Sequence, residues 1–523
     1  MPLTAFNPAS NIVDLITYHG QIRPKAEALV IEGERYTWGQ FSARVNQVAN
    51  TLLGMGVGKG DKVAILARGS ADYFDSFFGV LAAGACVVPL SGMATAETIA
   101  LMVNDCDAKV LMLSEDMREL IDPIDGELNK IIEGGRIGFD FADDSWQSFS
   151  GWVDGASAES PGIEIFPEDD FNIIYSSGTT GVPKGILHSH GMRQSYWENR
   201  DAAGYSAFTR VIVSTPIYSN TTLFALLPGV AWGGAIVLMP KSDAGKYLEL
   251  VETEKPTHTI QVPVQYRRLF AHPDFEKTDF GSFIWKYSTS APLQAPDKKI
   301  LITKWKGGFT EIYGMTEGGV GCALQAHEYP DKLHTVGLPM DPDNFLIVDE
   351  DMNAVPQGEI GELIGRSDYM MTGYYNQPGK TSESRWTDEN GLIWQRSGDM
   401  GRMDEDGFVT LLDRIKDMII SGGFNVYAAD LELVLAKHPD VHDVGVIGIP
   451  SEQWGETPIG LVVLKEGATA TADEIKEWAN DQLGKGQRLS NVEFRDSLPR
   501  STIGKLLKRE LREPYWAGRE QKV

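Results

Sequence analysis

Cysteine is scarce in this chain: three residues in 523, Cys86, Cys106 and Cys322, far apart and not in pairs. Neither a disulfide framework nor a zinc ribbon can be built from them, which fits a reducing cytoplasm. Positive charge is also short. Lys and Arg number 47 against 73 Asp and Glu, a formal charge of -26, so a nucleic-acid backbone would be repelled. A nucleotide ligand is not excluded, because a local site can be basic inside an acidic envelope. Long apolar runs are missing too. The longest, near Phe77 to Leu90, is broken by Gly79, Gly84 and Pro89 and is too short to span a bilayer. Met1 to Ser10 lacks a basic stretch followed by an apolar core, so no secretory signal is expected. No internal repeat or low-complexity tract occurs. The expectation is a soluble cytoplasmic protein, with a homodimer left open beside a monomer.

What is present is an ordinary globular composition, 42% hydrophobic and 23% charged, in a chain too long for one core. Strand-like and helix-like patterns alternate, the signature of α/β layering. An amphipathic stretch, Phe41 to Leu53, leads to the apolar strand Lys62 to Leu66. A helix from Ala71 to Ala83 then precedes the strand Cys86 to Leu90, and a helix from Thr95 to Asn104 precedes the strand Ala108 to Leu113. Gly134 to Asp170, rich in Asp, Glu, Gly and Ser, reads as a surface excursion. Strands are expected at Phe171–Tyr175, Arg210–Ser214, Ala235–Met239, Thr259–Val262 and Phe345–Val348. Around Leu412-Asp413-Arg414 the character changes. Helices near Ala429–Ala436 and Ala472–Leu483, with strands near Val441–Ile449 and Gly460–Leu464, predict a compact α+β domain. The fold class is therefore α/β, with a large multi-subdomain N-terminal body, residues 1–412, and a small C-terminal α+β domain, residues 413–523.

The sharpest local signal is Tyr175-Ser176-Ser177-Gly178-Thr179-Thr180-Gly181-Val182-Pro183-Lys184-Gly185. Its glycines let the backbone approach a phosphate chain, its hydroxyls can donate to phosphate oxygens, and Lys184 adds positive charge. It is not a Walker A loop, since glycine rather than Ser or Thr follows Lys184. By itself such a stretch could equally be a surface hairpin. His188-Ser189-His190 invites a metal reading, but two histidines without a third ligand make a poor site. Trp232, Phe270 and Trp285 read as packing residues, and Lys508, Arg509 and Arg512 as the solvated face of a C-terminal helix.

From Tyr36-Thr37 to Leu511 the chain resembles the adenylate-forming superfamily of acyl- and aryl-CoA ligases, peptide-synthetase adenylation domains and luciferases. The resemblance rests on that loop and on ordered segments after it: Ser290-Ala291-Pro292, Ile312-Tyr313-Gly314-Met315-Thr316-Glu317, Ser397-Gly398-Asp399-Met400-Gly401, Asp413-Arg414 through Gly422-Gly423, and Leu498 through Lys505. It implies that Ser290, Ala291 and Pro292 line the adenine, with Tyr313, Gly314 and Met315 beside it. Thr316 would contact the α-phosphate and Glu317 would help hold Mg²⁺, a hard cation that prefers carboxylate oxygen. Asp399 would accept from both ribose hydroxyls, and Arg414 would contact ribose or phosphate. Asp413 is the implied hinge of a mobile C-terminal domain, and Gly422 and Gly423 would wall the channel for the CoA thiol. Lys505 is the implied catalytic lysine of adenylation, offsetting charge that builds on phosphorus as pyrophosphate leaves.

The sequence departs from the family pattern in two places. In Pro216-Ile217-Tyr218-Ser219-Asn220, Ser219 stands where many members have His, and Phe424 and Ala428 follow the paired glycines where Glu and Pro are more usual. The implied reaction joins ATP and a carboxylic acid into an acyl-adenylate and then passes the acyl group to CoA. A carrier protein acting in trans is the alternative acceptor. The acid pocket is expected between Tyr218 and Leu226, at Tyr287 to Ser290, and from Tyr313 to Cys322, with Tyr218, Ser219, Tyr287, Gly319 and Gly321 as candidates. Those segments contain no Arg or Lys to pair a second carboxylate, so a fatty or aryl monoacid is favoured over a dicarboxylic acid.

Overall fold

The computed structural model describes residues 5–176, 183–367, 370–422, 424–484, 487–500 and 506–517. The chain divides into two compact units, Met1–Leu333 with Arg366–Gln395, and His334–Gly365 with Arg396–Val523.

The first unit is built on two sheets. One has eight strands in the order Gly373–Tyr374, Lys184–Ser189, Asp170–Ser176, Cys86–Pro89, Lys62–Leu66, Ala108–Leu113, Arg136–Gly138, Gln147–Ser148. Lys62–Leu66 and Cys86–Pro89 are buried at every position. This is why they read as unbroken apolar runs: a parallel strand covered on both faces has no polar side to alternate with. In the other sheet the strands run Gly321–Gln325, Gly308–Gly314, Trp285–Ser288, His258–Gln261, Arg210–Val213, Ala235–Leu238, Glu27–Ile31, Glu34–Thr37. The first expected helix begins earlier than its apolar spacing suggests, at Trp38, because Thr37 and Gln40 form a reciprocal capping box.

The stretch from Gly134 to Asp170 is not only a surface excursion. Its strands Arg136–Gly138 and Gln147–Ser148 extend the first sheet in parallel, and Trp146, Phe149 and Trp152 are buried. Few apolar anchors among many acidic and small residues carry the packing, so the average composition hides them.

In the second unit, strands Phe345–Val348, Gly361–Gly365, Ile393–Met403 and Val409–Arg414 form antiparallel ladders. The C-terminal part is a five-stranded sheet, Phe424–Val426, Ile419–Ser421, Gly455–Leu464 and Val441–Ser451, with Asn491–Phe494 pairing Gly455–Leu464. Helices Ala428–Leu435 and Ala472–Asn480 pack on it through Leu431, Leu435, Ile475 and Ala479. The second helix stops three residues short of Leu483 because the Asn480 side chain both donates to and accepts from the Leu489 backbone. No helix among the described residues is long and apolar enough to cross a membrane.

Candidate active site

The glycine-rich segment is flanked by two paired strands. Strands Asp170–Ser176 and Lys184–Ser189 pair antiparallel, with Ser176 opposite Lys184 on the last rung. Ser177, Gly178, Thr179, Thr180 and Gly181 lie outside the described residues. The Lys184 ammonium sits 4.9 Å from the centre of the Tyr374 ring. The hydroxyl of that tyrosine donates to Glu317 Oε1 at 2.8 Å. Tyr374 thus joins the expected phosphate lysine to the expected metal carboxylate. Nothing in the local sequence marked it, since an aromatic in a short strand usually means packing.

The Thr316-Glu317 backbone is tied down on both sides. His188 Nε2 bonds the Thr316 carbonyl at 2.8 Å, and the Met371 N–H donates to the Glu317 carbonyl at 2.8 Å. Burial, reinforced by the neighbouring Arg193 charge, holds His188 well below the ordinary imidazole pKa, so the ring is neutral. Arg193 donates to Nδ1 at 3.0 Å, which leaves the proton on Nε2 facing Thr316. His188 is therefore a positioning residue in the core rather than half of a metal pair. Arg193 is itself fully buried and also donates to Asn172 at 2.8 Å and Asn220 at 2.6 Å.

Tyr313 and Gly314 end the strand Gly308–Gly314, paired with Cys322 and Gly321. In the connecting turn Gly318 and Gly319 have φ of 74° and 83°. Their backbone requires glycine whatever room a ligand needs. Ser290 also adopts positive φ, 77°, and its hydroxyl meets that of Thr221. Ala291 and Pro292 follow it, after the strand Trp285–Ser288. Ser219 caps the helix Asn220–Ala231, accepting from the Thr221 N–H at 3.3 Å. The serine that replaces the family histidine thus has a structural task of its own. Tyr218 beside it is half-buried and Tyr287 is buried.

Other expected residues lie in the second unit, Asp399 among them. Asp399 and Arg414 are cross-strand partners, and Arg414 Nε lies 3.0 Å from Asp399 Oδ1. Two residues assigned separately to ribose and phosphate thus form one ion pair. The Asp413 carboxyl is held above the ordinary carboxylate range by burial, with the Lys508 charge opposing. Gly422 has φ of 59° and donates to the Trp454 carbonyl at 2.8 Å. A Cβ there would come within 2.7 Å of the Trp454 ring. Gly423 and Lys505 lie outside the described residues.

The C-terminal helix, Lys508–Trp516, corrects one expectation. Lys508 and Arg512 are not a solvated face. Lys508 reaches Glu432 at 2.9 Å and Asp413 at 3.9 Å, and Arg512 pairs with Asp417 at 2.6 Å. Charge density along the helix suggested exposure, but each cation meets a carboxylate distant in sequence. Lys508→Met is expected to destabilise this unit by up to about 3 kcal/mol by leaving the half-buried Glu432 without a cation. Lys508→Met combined with Glu432→Leu should recover most of that loss, and urea unfolding of both variants compares them. Equal loss in the single and double variants would refute the pairing.

The first unit is an α/β fold that sets a lysine, a tyrosine and a glutamate in one chain of contacts. The family signature of AMP-binding enzymes matches residues 17–375, and that of the AMP-binding enzyme C-terminal domain matches residues 430–505. The chain belongs to this adenylate-forming family and is an AMP-forming acid ligase. It is 30% identical over 514 residues to a long-chain-fatty-acid–CoA ligase, FadD13, of Mycobacterium tuberculosis, covering 97% of this chain and 99% of that one. It is 30% identical to a feruloyl-CoA synthase of Amycolatopsis, covering 95% and 97%. A fatty acid–[acyl-carrier-protein] ligase, ScoC, of Streptomyces coeruleorubidus is 27% identical, covering 98% of each chain. ATP-bound MatB from Rhodopseudomonas palustris superposes with a TM-score of 0.86 at 28% identity, covering 97% and 99%.

Proposed function

We propose that this enzyme activates a fatty or aryl carboxylic acid with ATP and passes the acyl group to CoA. The observation that carries the reading is the chain of contacts from Lys184 through Tyr374 to Glu317. It joins a cation at the end of the strand that follows a segment of phosphate-loop composition to a carboxylate distant in sequence.

In the first half-reaction a carboxylate oxygen of the acid attacks the α-phosphorus of ATP and the bond to pyrophosphate breaks. The hydroxyls and N–H groups of the loop Ser176 to Gly181 hold the phosphates, with Lys184 adding charge. Thr316 donates to the α-phosphate, its backbone held by His188. Lys505 supplies the ammonium that offsets charge in the transition state. Glu317 fits a divalent cation: only Oε1 is engaged by protein among the described residues, leaving the second oxygen for Mg²⁺. When bound there, Mg²⁺ would neutralise phosphate charge. Adenine lies against Ser290, Ala291, Pro292 and Tyr313, and the ribose hydroxyls donate to Asp399, which Arg414 orients.

In the second half-reaction the CoA thiol attacks the mixed anhydride and AMP leaves. Asp413 acts as the pivot between half-reactions, with residues 413–523 as the moving domain, and Gly422 and Gly423 border the thiol path. The cysteines are buried free thiols, and burial pushes Cys86 and Cys106 up from the ordinary thiol range, which suits a route without an enzyme thioester.

A coupled pyrophosphate-release screen over short, medium, long and aromatic acids, with and without CoA, tests this. Release with at least one class, and consumption of CoA thiol in step with it, is expected. Release without thiol consumption would move the acceptor to a carrier protein, the reading that the relationship to ScoC favours. No release with any acid would overturn both.

A further inference from the structure

The acid-pocket segments contain no basic residue, yet the fold brings one to them. Arg200 belongs to the connection after helix His190–Gln194. Its Nε–H donates to the Tyr196 carbonyl at 2.8 Å, and its guanidinium carbon lies 4.2 Å from the centre of the Phe224 ring. Phe224 in turn meets Tyr287 edge-on at 5.4 Å and Tyr196 at 5.4 Å. Burial pushes the Tyr287 phenol up, and the charge of Arg200, with hydrogen bonding from Tyr205 and from Arg200 itself, opposes that shift, so the guanidinium lies against the phenol. Arg200 is half-buried, and no carboxylate pairs with it among the described residues.

The place of this cluster follows from the two elements that hold it. Thr221 and Phe224 are neighbours one turn apart on helix Asn220–Ala231, and the facing segment carries Tyr287 on its strand and Ser290 just past the strand's end. The hydroxyls of Thr221 and Ser290 touch where that segment enters the expected adenine-binding stretch. Phe224 therefore lies about 4.5 Å further along the helix, and Tyr287 and Arg200 are packed against its ring. An acid whose reacting carboxyl lies by Thr316 and whose body runs between Tyr218–Leu226 and Tyr287–Ser290 would extend its tail toward them.

We infer that Arg200 determines acid specificity, and that the preferred acid carries a second carboxylate at the end remote from the one activated. This rests on the adenylation reading above. The aromatic walls accept an aryl or short aliphatic body, and the guanidinium accepts a carboxylate as a two-point, charge-assisted partner. An all-hydrocarbon tail would strip water from the guanidinium and return no hydrogen bond. Arg200 lies outside the segments whose lack of a cation favours a monoacid; the connection after helix His190–Gln194 brings it onto Phe224.

The test compares pyrophosphate release from matched acids, benzoate against 1,4-benzenedicarboxylate and hexanoate against hexanedioate, for wild type, Arg200→Met and Arg200→Lys. Wild type is expected to favour the dicarboxylic member of at least one pair by tenfold or more in kcat/KM, less than the roughly 10⁴-fold of a site built to hydrogen-bond a buried substrate group, because Arg200 is only half-buried. Arg200→Met should remove that preference, mostly through KM, while changing the monoacid by less than about threefold, and Arg200→Lys should fall between. If Arg200→Met does not fold, Arg200→Lys must still show reduced preference. Wild-type preference for the monoacid in both pairs, or equal losses for both members in the variants, overturns the assignment and leaves the adenylation reading standing. Absence of pyrophosphate release with every acid defeats the adenylation reading, and the assignment falls with it.

Discussion

Replacing Lys505 by alanine is expected to slow pyrophosphate release by about 10²- to 10³-fold, the cost of removing one positioned charge-stabilising group. Thioester formation from chemically prepared acyl-adenylate should change by no more than a few-fold. The asymmetry follows from the chemistry. Charge accumulates on the phosphorus oxygens only while pyrophosphate departs, whereas the second half-reaction occurs at an acyl carbon with AMP as leaving group. The chain on either side of this lysine is firmly held. Leu507 N–H donates to the Pro499 carbonyl at 2.9 Å, Arg500 and Leu506 form a bridge, and Arg500 pairs with Asp443 at 2.6 Å. A truncated side chain therefore removes charge without freeing the strand ends. Single-turnover measurement of each half-reaction decides the matter. Equal losses in both would mean a structural role, and no loss in either would mean that the chain does not use Lys505 for chemistry.

Arg193→Met is expected to lower folding stability by about 5 kcal/mol, because Asn172, Asn220 and His188 would each lose a donor inside the core. The guanidinium holds three elements at once: strand Asp170–Ser176 through Asn172, strand Lys184–Ser189 through His188, and helix Asn220–Ala231 through Asn220. It is 0% exposed, so water cannot replace it. Arg193→Lys should recover little, since one ammonium on a flexible stem cannot reproduce three directions of a planar fork. A conformationally intact fraction of Arg193→Met should also show slower pyrophosphate release, because His188 would no longer be confined to the tautomer that bonds the Thr316 carbonyl. Guanidinium unfolding checks the first expectation; a midpoint shift equivalent to less than about 1 kcal/mol would refute it.

Much of the architecture was legible in residue order. Strands buried on both faces, Lys62–Leu66 and Ala108–Leu113, announced themselves as apolar runs, and their boundaries in the structure coincide with the expected ones. Caps were less visible: Thr37 with Gln40 and Asn480 with Leu489 shifted helix ends that apolar spacing alone could not place. Between Gly134 and Asp170 the average composition outweighed a few large buried rings, and a sheet edge was read as surface.

The sequence by itself carried the resemblance to adenylate-forming enzymes, because the Gly-, Ser- and Thr-rich loop, the Thr316-Glu317 pair and Asp399 are local strings whose order along the chain can be matched without knowing what surrounds them. Only the tertiary structure decided what surrounds them. Tyr374 between Lys184 and Glu317, His188 and Arg193 behind Thr316, Arg414 on Asp399, and Lys508 on Glu432 are contacts between distant positions. The physical reason is that a buried polar group takes its meaning from the partner that satisfies it, and that partner is chosen by packing rather than by sequence spacing.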